Sequence, residues 1–377
     1  MKRGLVFAIV ISLLVTVLLN ADIVLSLITT KRYCFVTKCI IENVSGRELM
    51  VSPSNIMNFY LIPTIEGWQE VKKVEVLING KRLDTVEYSV KEIDGNKIIK
   101  FPVFQIKPGE KLNVTVVQEV VVYRLVFPEF KREVRGLSRG FQDPKPSVEF
   151  AKLNKFYKKG DFNKVIELAE NVNGDSDKDI LINCIKIILS RIKYSNSSYG
   201  IAPPALTLER GYGSCGDISA LLVAMLRIKN IPAYICFSYV YEEGLKVSER
   251  TPVLSVEYRN LGPHAFVMAY LSSIGWVPVD IVIHAGNRPQ DCIESAGINV
   301  NERLVVYGKA VGMDPNIFLI IAPEDGTKVS VLYEGLSVAT EVDSTKVFYS
   351  IMMGVLIGYI VYLVLESESN YKNILEK

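Results

Sequence analysis

Apolar and polar residues alternate over the first third of the chain in a pattern typical of β-strands. Short runs rich in Val, Tyr and Phe, such as VEVLING at 74–80 and NVTVVQEVVVYRLVF at 113–127, are separated by the turn sequences NGK, DGN and KPGE. Short strands at this spacing are typical of antiparallel sandwiches. We therefore predict an antiparallel β-sandwich domain over residues 30–134, followed by a Gly-, Pro- and Ser-rich linker at 135–147.

The pattern becomes helical after the linker and then returns to strands. Residues 148–193 predict two short helices and a third helix over about 178–193. Strands are then predicted at three alternating stretches, residues 231–241, 253–258 and 264–281. Helices that precede the strands, instead of alternating with them, indicate an α+β fold. We place a catalytic core at 148–300 and a β-rich C-terminal extension at 301–345.

Two uncharged apolar runs lie near the ends of the chain. The first, residues 4–19, follows two basic residues and predicts either a cleaved signal sequence or a retained membrane anchor within residues 1–29. The second, residues 347–365, is long enough to cross a bilayer and predicts a transmembrane helix at 346–366, followed by a short polar tail at 367–377. If the N-terminus stays in the cytoplasm, the main domain is translocated. We therefore expect a membrane-anchored protein with an extracytoplasmic main domain.

Composition and charge narrow the classes of function. The formal net charge is +2, and no block of Lys and Arg alternates with aromatic residues, so we do not expect a nucleic-acid partner. The six cysteines contain no Cys-x-x-Cys pair and the chain has two histidines, so we predict no metal site and no cofactor. Cys34 and Cys39 would lie about 16 Å apart in one straight strand, too far for a disulfide, and a bridge between them requires a bend.

Residues 211–226, GYGSCGDISALLVAML, combine a glycine-rich turn with a helix start that carries a cysteine. Ser214 is a good N-cap, Asp217 stands three residues further on as in a capping box, and Cys215 becomes the first helical residue. The unpaired N–H groups and the dipole of a first helical turn favour a thiolate and could hold an oxyanion. The alternative interpretation is a small apolar residue packed at a helix start.

Further residues are candidates for a substrate cleft around this cysteine. They are Tyr212, Gly213, Gly216 and Trp276. The glycines would let a substrate backbone approach Cys215 closely, and the two aromatic side chains would form walls of the cleft. For both aromatic residues the alternative is ordinary packing.

A nucleophilic cysteine needs a base, which is usually a histidine. His264 follows a Gly-Pro turn and opens a strand, and Asp280 ends the returning strand WVPVD. A three-residue loop at 272–274 would place Phe266 opposite Asp280, so that His264 and Asp280 become diagonal neighbours on one face. A two-residue loop would send them to opposite faces. His284 is the rival base, but its context is that of an ordinary loop histidine.

The segment 206–240 followed by 264–280 resembles the transglutaminase-like core, a relative of papain-type cysteine peptidases. The matching residues are Gly213-Ser214-Cys215, Asp217, Arg227, NIPAY at 230–234, His264, Gly275-Trp276 and Asp280. The resemblance covers roughly residues 150–285 and implies a papain-like core of the membrane-anchored prokaryotic or archaeal type. It also implies that Cys215 is the nucleophile, His264 the base and Asp280 the acid that orients it. Asn230 replaces the usual Gly and Tyr234 the usual Arg, which could alter the cleft.

The function expected from these observations is thiol acyl transfer on a peptide or protein amide bond. Water as acceptor would make the protein a peptidase or amidase, and a lysine amine would make it a crosslinking transglutaminase. The absence of calcium-loop signatures favours hydrolysis. A different class of function is a catalytically silent scaffold that binds an envelope protein or polymer.

Overall fold

The computed structural model describes residues 29–66, 68–84, 87–123, 148–196, 200–273, 275–296 and 303–342. The apolar runs at 4–19 and 347–365, the linker at 135–147 and the tail at 367–377, all predicted above, lie outside these residues. None of the helices within the described ranges is long and apolar enough to cross a membrane. Residues 32–338 form one compact unit.

The first part of the chain consists almost entirely of strands. They are β1 (Thr29–Asn43), β2 (Leu49–Val51), β3 (Phe59–Tyr60), β4 (Gln69–Ile78), β5 (Lys81–Arg82), β6 (Ser89–Ile93), β7 (Asn96–Lys100), β8 (Phe104–Ile106) and β9 (Lys111–Val122). One short helix, α1 (Pro53–Ile56), lies between β2 and β3. The turn sequences NGK and DGN connect β4 to β5 and β6 to β7 as expected, with Asn79 and Asp94 in the left-handed region.

The middle of the chain is helical, and strands follow. The helices are α2 (Phe162–Glu170), α3 (Asp177–Arg191), α4 (Pro204–Arg210) and α5 (Cys215–Ile228), with 3-10 turns at Val148–Ala151 and Pro315–Phe318 and a last short helix α6 (Asp291–Glu294). The strands are β10 (Lys193–Tyr194), β11 (Tyr212–Gly213), β12 (Ala233–Arg250), β13 (Leu254–Leu271), β14 (Gly275–Val279), β15 (Leu304–Ala310) and β16 (Thr327–Val342). This arrangement confirms the α+β class.

A large sheet runs through both parts of the chain. Its strand order is β15-β12-β13-β16-β1-β9-β4-β5. Strand β14 also belongs to the sheet and pairs with residues 267–271 of β13. The strands predicted to form a sandwich domain at 30–134 therefore do not form a domain of their own. Strands β1, β9, β4 and β5 belong to the same sheet as the strands around the candidate site. Strand β16 joins the two groups by pairing in parallel with β13.

Two large hydrophobic cores, and a smaller third core that contains Trp276, lie against this sheet. One core, between β1, β4 and β9 and the small sheets β2-β8 and β3-β7-β6, contains Cys39, Val76, Ile99 and Val114. The other core surrounds α5, in which every residue from Gly216 to Arg227 is buried. Helix α5 packs against α2, α3 and α4 and against β12 and β13. It is the central helix of the site.

Candidate active site

The start of α5 is held by a complete capping box, as predicted. The Ser214 Oγ accepts a hydrogen bond from the Asp217 N–H (3.4 Å), and the Asp217 Oδ2 accepts one from the Ser214 N–H (2.8 Å). The Asp217 Oδ1 also accepts a hydrogen bond from the Ala202 N–H (2.6 Å). These bonds make Cys215 the first residue of the helix, with a half-buried side chain. Asp217 is buried and serves the helix start.

The hairpin β13–β14 positions the histidine and the aspartate. The loop at 272–274 connects Leu271 to Gly275, and the pairing runs to Val267 opposite Val279. Continuing this register by one residue places Phe266 opposite Asp280, which is the predicted arrangement. The His264 Nε2 lies 2.7 Å from the Asp280 Oδ2, and both side chains are 4% exposed. The predicted diagonal contact is confirmed.

Hydrogen bonds fix both the backbone of Asp280 and the carboxylate oxygen that does not contact His264. The Oδ1 accepts hydrogen bonds from the N–H groups of Val282 (3.0 Å) and Ile283 (2.8 Å). The Asp280 N–H donates to the carbonyl of Cys292 (2.8 Å). Because one oxygen is held by two amides, the other is aimed at the imidazole and holds its orientation.

The His264 ring lies beside Cys215 as well as Asp280. Cys215 and His264 line the same cavity, and Cys215 is close enough to the ring to affect the pKa of His264. Burial by itself would lower the pKa of His264. The charge and hydrogen bond of Asp280, together with the nearby Cys215, outweigh burial and raise that pKa from 6.5 to about 10. The surroundings of His264 therefore favour its protonated form.

A cavity of about 420 Å³ opens beside these two side chains. Cys215, His264 and Tyr194 line it, and most of its other lining residues are aliphatic. Tyr194 lies in β10, opposite Gly213 of the parallel strand β11, two residues before the cysteine. Burial and the nearby Cys215 raise the pKa of Tyr194. The sequence interpretation missed Tyr194 because a two-residue strand has no periodic pattern.

None of the four predicted cleft residues lines this cavity. A Cβ on Gly213 would lie 2.7 Å from the Cβ of Asp217, and one on Gly216 would lie 2.7 Å from the Cγ1 of Ile201, so both glycines serve close packing of the helix start. Trp276 is 1% exposed and packs against Tyr234 (4.9 Å between ring centroids) in a core on β12 and β14. Tyr212 is 45% exposed.

The other candidate groups lie away from the cavity lining. His284, the rival base, is half-buried and close enough to Asp291 to lower the pKa of that carboxyl. Cys34 and Cys39 are both free thiols, so the bridge considered from the sequence is not formed. Within the described residues, no group of His, Cys, Asp and Glu could hold a metal ion.

Residues 166–281 match the family model described as the Transglutaminase-like superfamily. None of the curated proteins matches the chain. Two solved structures are similar at 11% sequence identity. A "Putative Cysteine Protease" from Cytophaga hutchinsonii has a TM-score of 0.46 and covers 83% of this chain and 92% of its own. A "putative protease" from Parabacteroides distasonis has a TM-score of 0.21 and covers 69% and 68%.

Similarity to solved structures this low does not establish a function. The segment that matches the family model includes Cys215, His264 and Asp280, and this part of the chain is therefore similar to the transglutaminase-like superfamily.

Proposed function

We propose that this protein is a thiol enzyme that hydrolyses peptide or protein amide bonds through a cysteine acyl-enzyme. The observation that carries the proposal is the His264 ring, which is bonded to the Asp280 carboxylate (2.7 Å) and lines the same cavity as the Cys215 thiol. A nucleophile, a base and a group that orients the base are the parts that this chemistry needs. We assign these roles to Cys215, His264 and Asp280.

In the acylation step, the Cys215 thiolate attacks the amide carbon. The Sγ–C bond forms, and the electron pair of the carbonyl moves to its oxygen. When the tetrahedral intermediate collapses, the C–N bond breaks and the His264 imidazolium gives its proton to the leaving nitrogen. The products are an amine, a thioester on Cys215 and a neutral His264.

Deacylation reverses these roles. Neutral His264 takes a proton from water as the water oxygen attacks the thioester, and the C–S bond then breaks. A carboxylic acid leaves, and the thiolate and imidazolium are restored. An amine that replaced water would give a new amide, which is the crosslinking alternative.

The oxyanion of both intermediates needs two donors. The Cys215 N–H is one, since the first N–H groups of a helix have no partner within the helix. We assign the second to the Tyr194 hydroxyl; Tyr194 lines the same cavity, and its hydroxyl donates a hydrogen bond to the Asn196 Oδ1 (3.2 Å). Tyr194→Phe is expected to lower kcat by about 10²-fold or less with little change in alkylation of Cys215.

We further propose that the apolar runs at 4–19 and 347–365 hold the enzyme at a membrane with its main domain outside the cytoplasm. The test is protease digestion of intact cells. Digestion of residues 30–345 without lysis supports this orientation, and full protection until the cells are lysed contradicts it.

The proposed chemistry is tested by thiol labelling and amide turnover. Cys34, the other half-buried cysteine, is the matched control because burial and nearby glutamates raise its pKa. At neutral pH we expect iodoacetamide to alkylate Cys215 faster than Cys34, as located by mass spectrometry. Cys215→Ala should abolish cleavage of a peptide library, whereas Cys34→Ala should leave cleavage unchanged.

Two results would contradict the hydrolase proposal. Equal alkylation rates at the two cysteines, with no cleavage by the unmodified protein, would favour a silent scaffold. Incorporation of a labelled amine into peptides, in preference to release of carboxylic acids, would identify a crosslinking transferase.

A further inference from the structure

The cavity beside Cys215 has an aliphatic wall. Side chains from the end of α3, from α5 and from the segment after β14 form it: Leu189, Ile192, Ile218, Ile281 and Val282. Its volume of about 420 Å³ lies within the range of sites that enclose small ligands. Such a wall favours an apolar substituent on the substrate, since burial of aliphatic surface is favourable and burial of an unpaired polar group is costly.

One carboxylate lies at the rim of this apolar cavity. Glu242 is the acidic side chain among the described residues that line it. It is exposed, and no described residue forms an ion pair or hydrogen bond with its carboxylate. Lys246, four residues along, is already paired with Glu257 (3.4 Å). The negative charge of Glu242 therefore faces the cavity mouth without a counter-ion among the residues that the structure describes.

An irregularity in the β12–β13 hairpin places Glu242 there. The two strands pair through Tyr241 opposite Leu261 and resume at Lys246 opposite Arg259. Four residues of β12, 242–245, therefore stand against the single residue 260 of β13, and the extra residues form a bulge. Both Glu242 and Leu245 of this bulge reach the cavity.

Asn260 holds the bulge in place. Its backbone is in the left-handed region (φ +55°), and its Oδ1 accepts a hydrogen bond from the Gly244 N–H (2.9 Å). Its Nδ2 donates to the Gly335 carbonyl of β16 (3.0 Å). Gly244 has φ +81°, a conformation that favours glycine. The Leu245 side chain packs over Gly262, where an added Cβ would lie 3.4 Å from the Leu245 Cδ2. The position of Glu242 is therefore built into the hairpin.

We propose that the cavity selects peptide acyl donors in which an aliphatic side chain is followed or preceded by a cationic group, and that Glu242 is the specificity determinant for the cation. The inference rests on the proposed thiol chemistry. The aliphatic side chain packs in the cavity, and the ammonium or guanidinium group lies at the rim opposite Glu242. Acidic substrates are disfavoured by the same charge.

The experiment uses three peptidyl vinyl sulfones that share one leucine and differ only at the neighbouring residue, which is lysine, glutamine or glutamate. The measured quantity is the second-order rate constant for alkylation of Cys215, followed by mass spectrometry. Because Glu242 is exposed, we expect the lysine probe to react about two- to fivefold faster than the glutamine probe. High salt should reduce this difference.

Variants separate the role of Glu242 from general electrostatics. Glu242→Gln should equalise the lysine and glutamine probes, and Glu242→Lys should favour the glutamate probe. Glu243→Gln is the matched control, since Glu243 is the adjacent exposed glutamate and does not line the cavity. This variant should keep the preference for lysine. A probe with glycine in place of leucine should react more slowly with every variant.

The outcomes distinguish the two levels of the proposal. If Cys215 reacts no faster than it does in the urea-unfolded chain, the proposed function fails. If Cys215 reacts rapidly but shows no charge preference, or if Glu242→Gln keeps the preference, the assignment of Glu242 is overturned while the thiol chemistry stands. If Glu242→Gln leaves the vinyl sulfone rates unchanged, and with a peptide amide substrate alters only the partition of the acyl-enzyme between water and added cadaverine, the cation belongs to an acyl acceptor and the donor assignment is overturned.

Discussion

At the scale of single residues, the protonation of His264 decides what the site can do. Its ring is almost completely buried, and burial disfavours its charge. One oxygen of Asp280 reverses this outcome, because the other oxygen is held by two backbone amides and the carboxylate cannot turn away. In the proposed mechanism, this imidazolium gives its proton to the leaving amine.

Asp280→Asn tests this dependence. The amide keeps the size of the carboxylate but loses the charge that stabilises the imidazolium, so we expect kcat to fall by about 10²–10⁴-fold with a smaller change in KM. Asp291→Asn is the matched control, since that carboxylate pairs with Arg288 (2.7 Å) and does not contact His264. Equal effects of the two substitutions would show that Asp280 has no special role.

The raised pKa of His264 also predicts how stability depends on pH. A folded-state pKa of about 10 against an ordinary value of 6.5 means that the folded protein holds this proton more tightly. The contribution to stability is complete below about pH 6.5 and is lost as the pH rises through about 10. We expect the difference in the free energy of unfolding between the wild type and His264→Gln to shrink over this interval. A difference that stays constant in urea titrations across it would contradict the assignment.

At the scale of elements, α5 is fixed at both ends by polar contacts while its length is buried. Asp217 fixes its start, and Arg227 fixes its end by donating to the carbonyls of Ala233 (2.9 and 2.7 Å), Lys152 and Val311 (2.7 Å). The guanidinium is 2% exposed and lies over the Tyr157 ring (5.1 Å). The position of the Cys215 sulfur therefore depends on a helix that cannot shift without breaking these bonds.

Asp217→Ala is expected to disturb this placement. The substitution leaves two backbone N–H groups without their charged acceptor and should lower the free energy of unfolding by about 2–4 kcal/mol. It should also slow alkylation of Cys215, because the helix start can then shift. Asp179→Ala at the exposed start of α3, where Ser176 and Asp179 make a similar cap, is the control. It should cost about 1 kcal/mol or less and leave Cys215 alkylation unchanged.

At the scale of the whole molecule, the N-terminal strands support the site through the shared sheet. The Trp68 ring stacks on Phe266 (5.8 Å), which in turn stacks on His264 (6.4 Å). The buried amide of Gln69 exchanges two hydrogen bonds with Val306 of β15 (2.7 and 2.9 Å). The N-terminal strands are therefore structural partners of the site.

One cooperative unfolding transition is expected for residues 32–338. Cys39 and Cys184 are buried free thiols in the two different cores, so each becomes reactive when its own core opens. Thiol labelling along a urea gradient, read by mass spectrometry, should give the same midpoint for both. Ile99→Ala, which empties part of the core around Cys39, should lower both midpoints together, with a loss of about 2–5 kcal/mol. A lower midpoint at Cys39 alone would indicate an independent sandwich domain.

The local features of the site could be read from the sequence because they depend on neighbours along the chain. Ser214 and Asp217 specify the helix start by short-range hydrogen bonds, so Cys215 could be placed at its first position. The parity of the hairpin depends on the loop at 272–274, so His264 and Asp280 could be placed on one face. The choice of His264 over His284 followed from the same strand and turn pattern.

The sequence by itself thus determined the α+β class, the helix that begins at Cys215 and the hairpin that brings His264 to Asp280. Only the tertiary structure decided which residues surround them. Tyr194 reaches the cavity because β10 pairs with β11, and Glu242 because β12 bulges against Asn260; neither contact is marked by a periodic pattern in the sequence. Tertiary packing also holds the predicted cleft residues Gly213, Gly216 and Trp276 away from the cavity. It likewise makes the N-terminal strands and the strands around the site share one sheet. Strand pairing and close packing are long-range interactions, and no local pattern of residues encodes them.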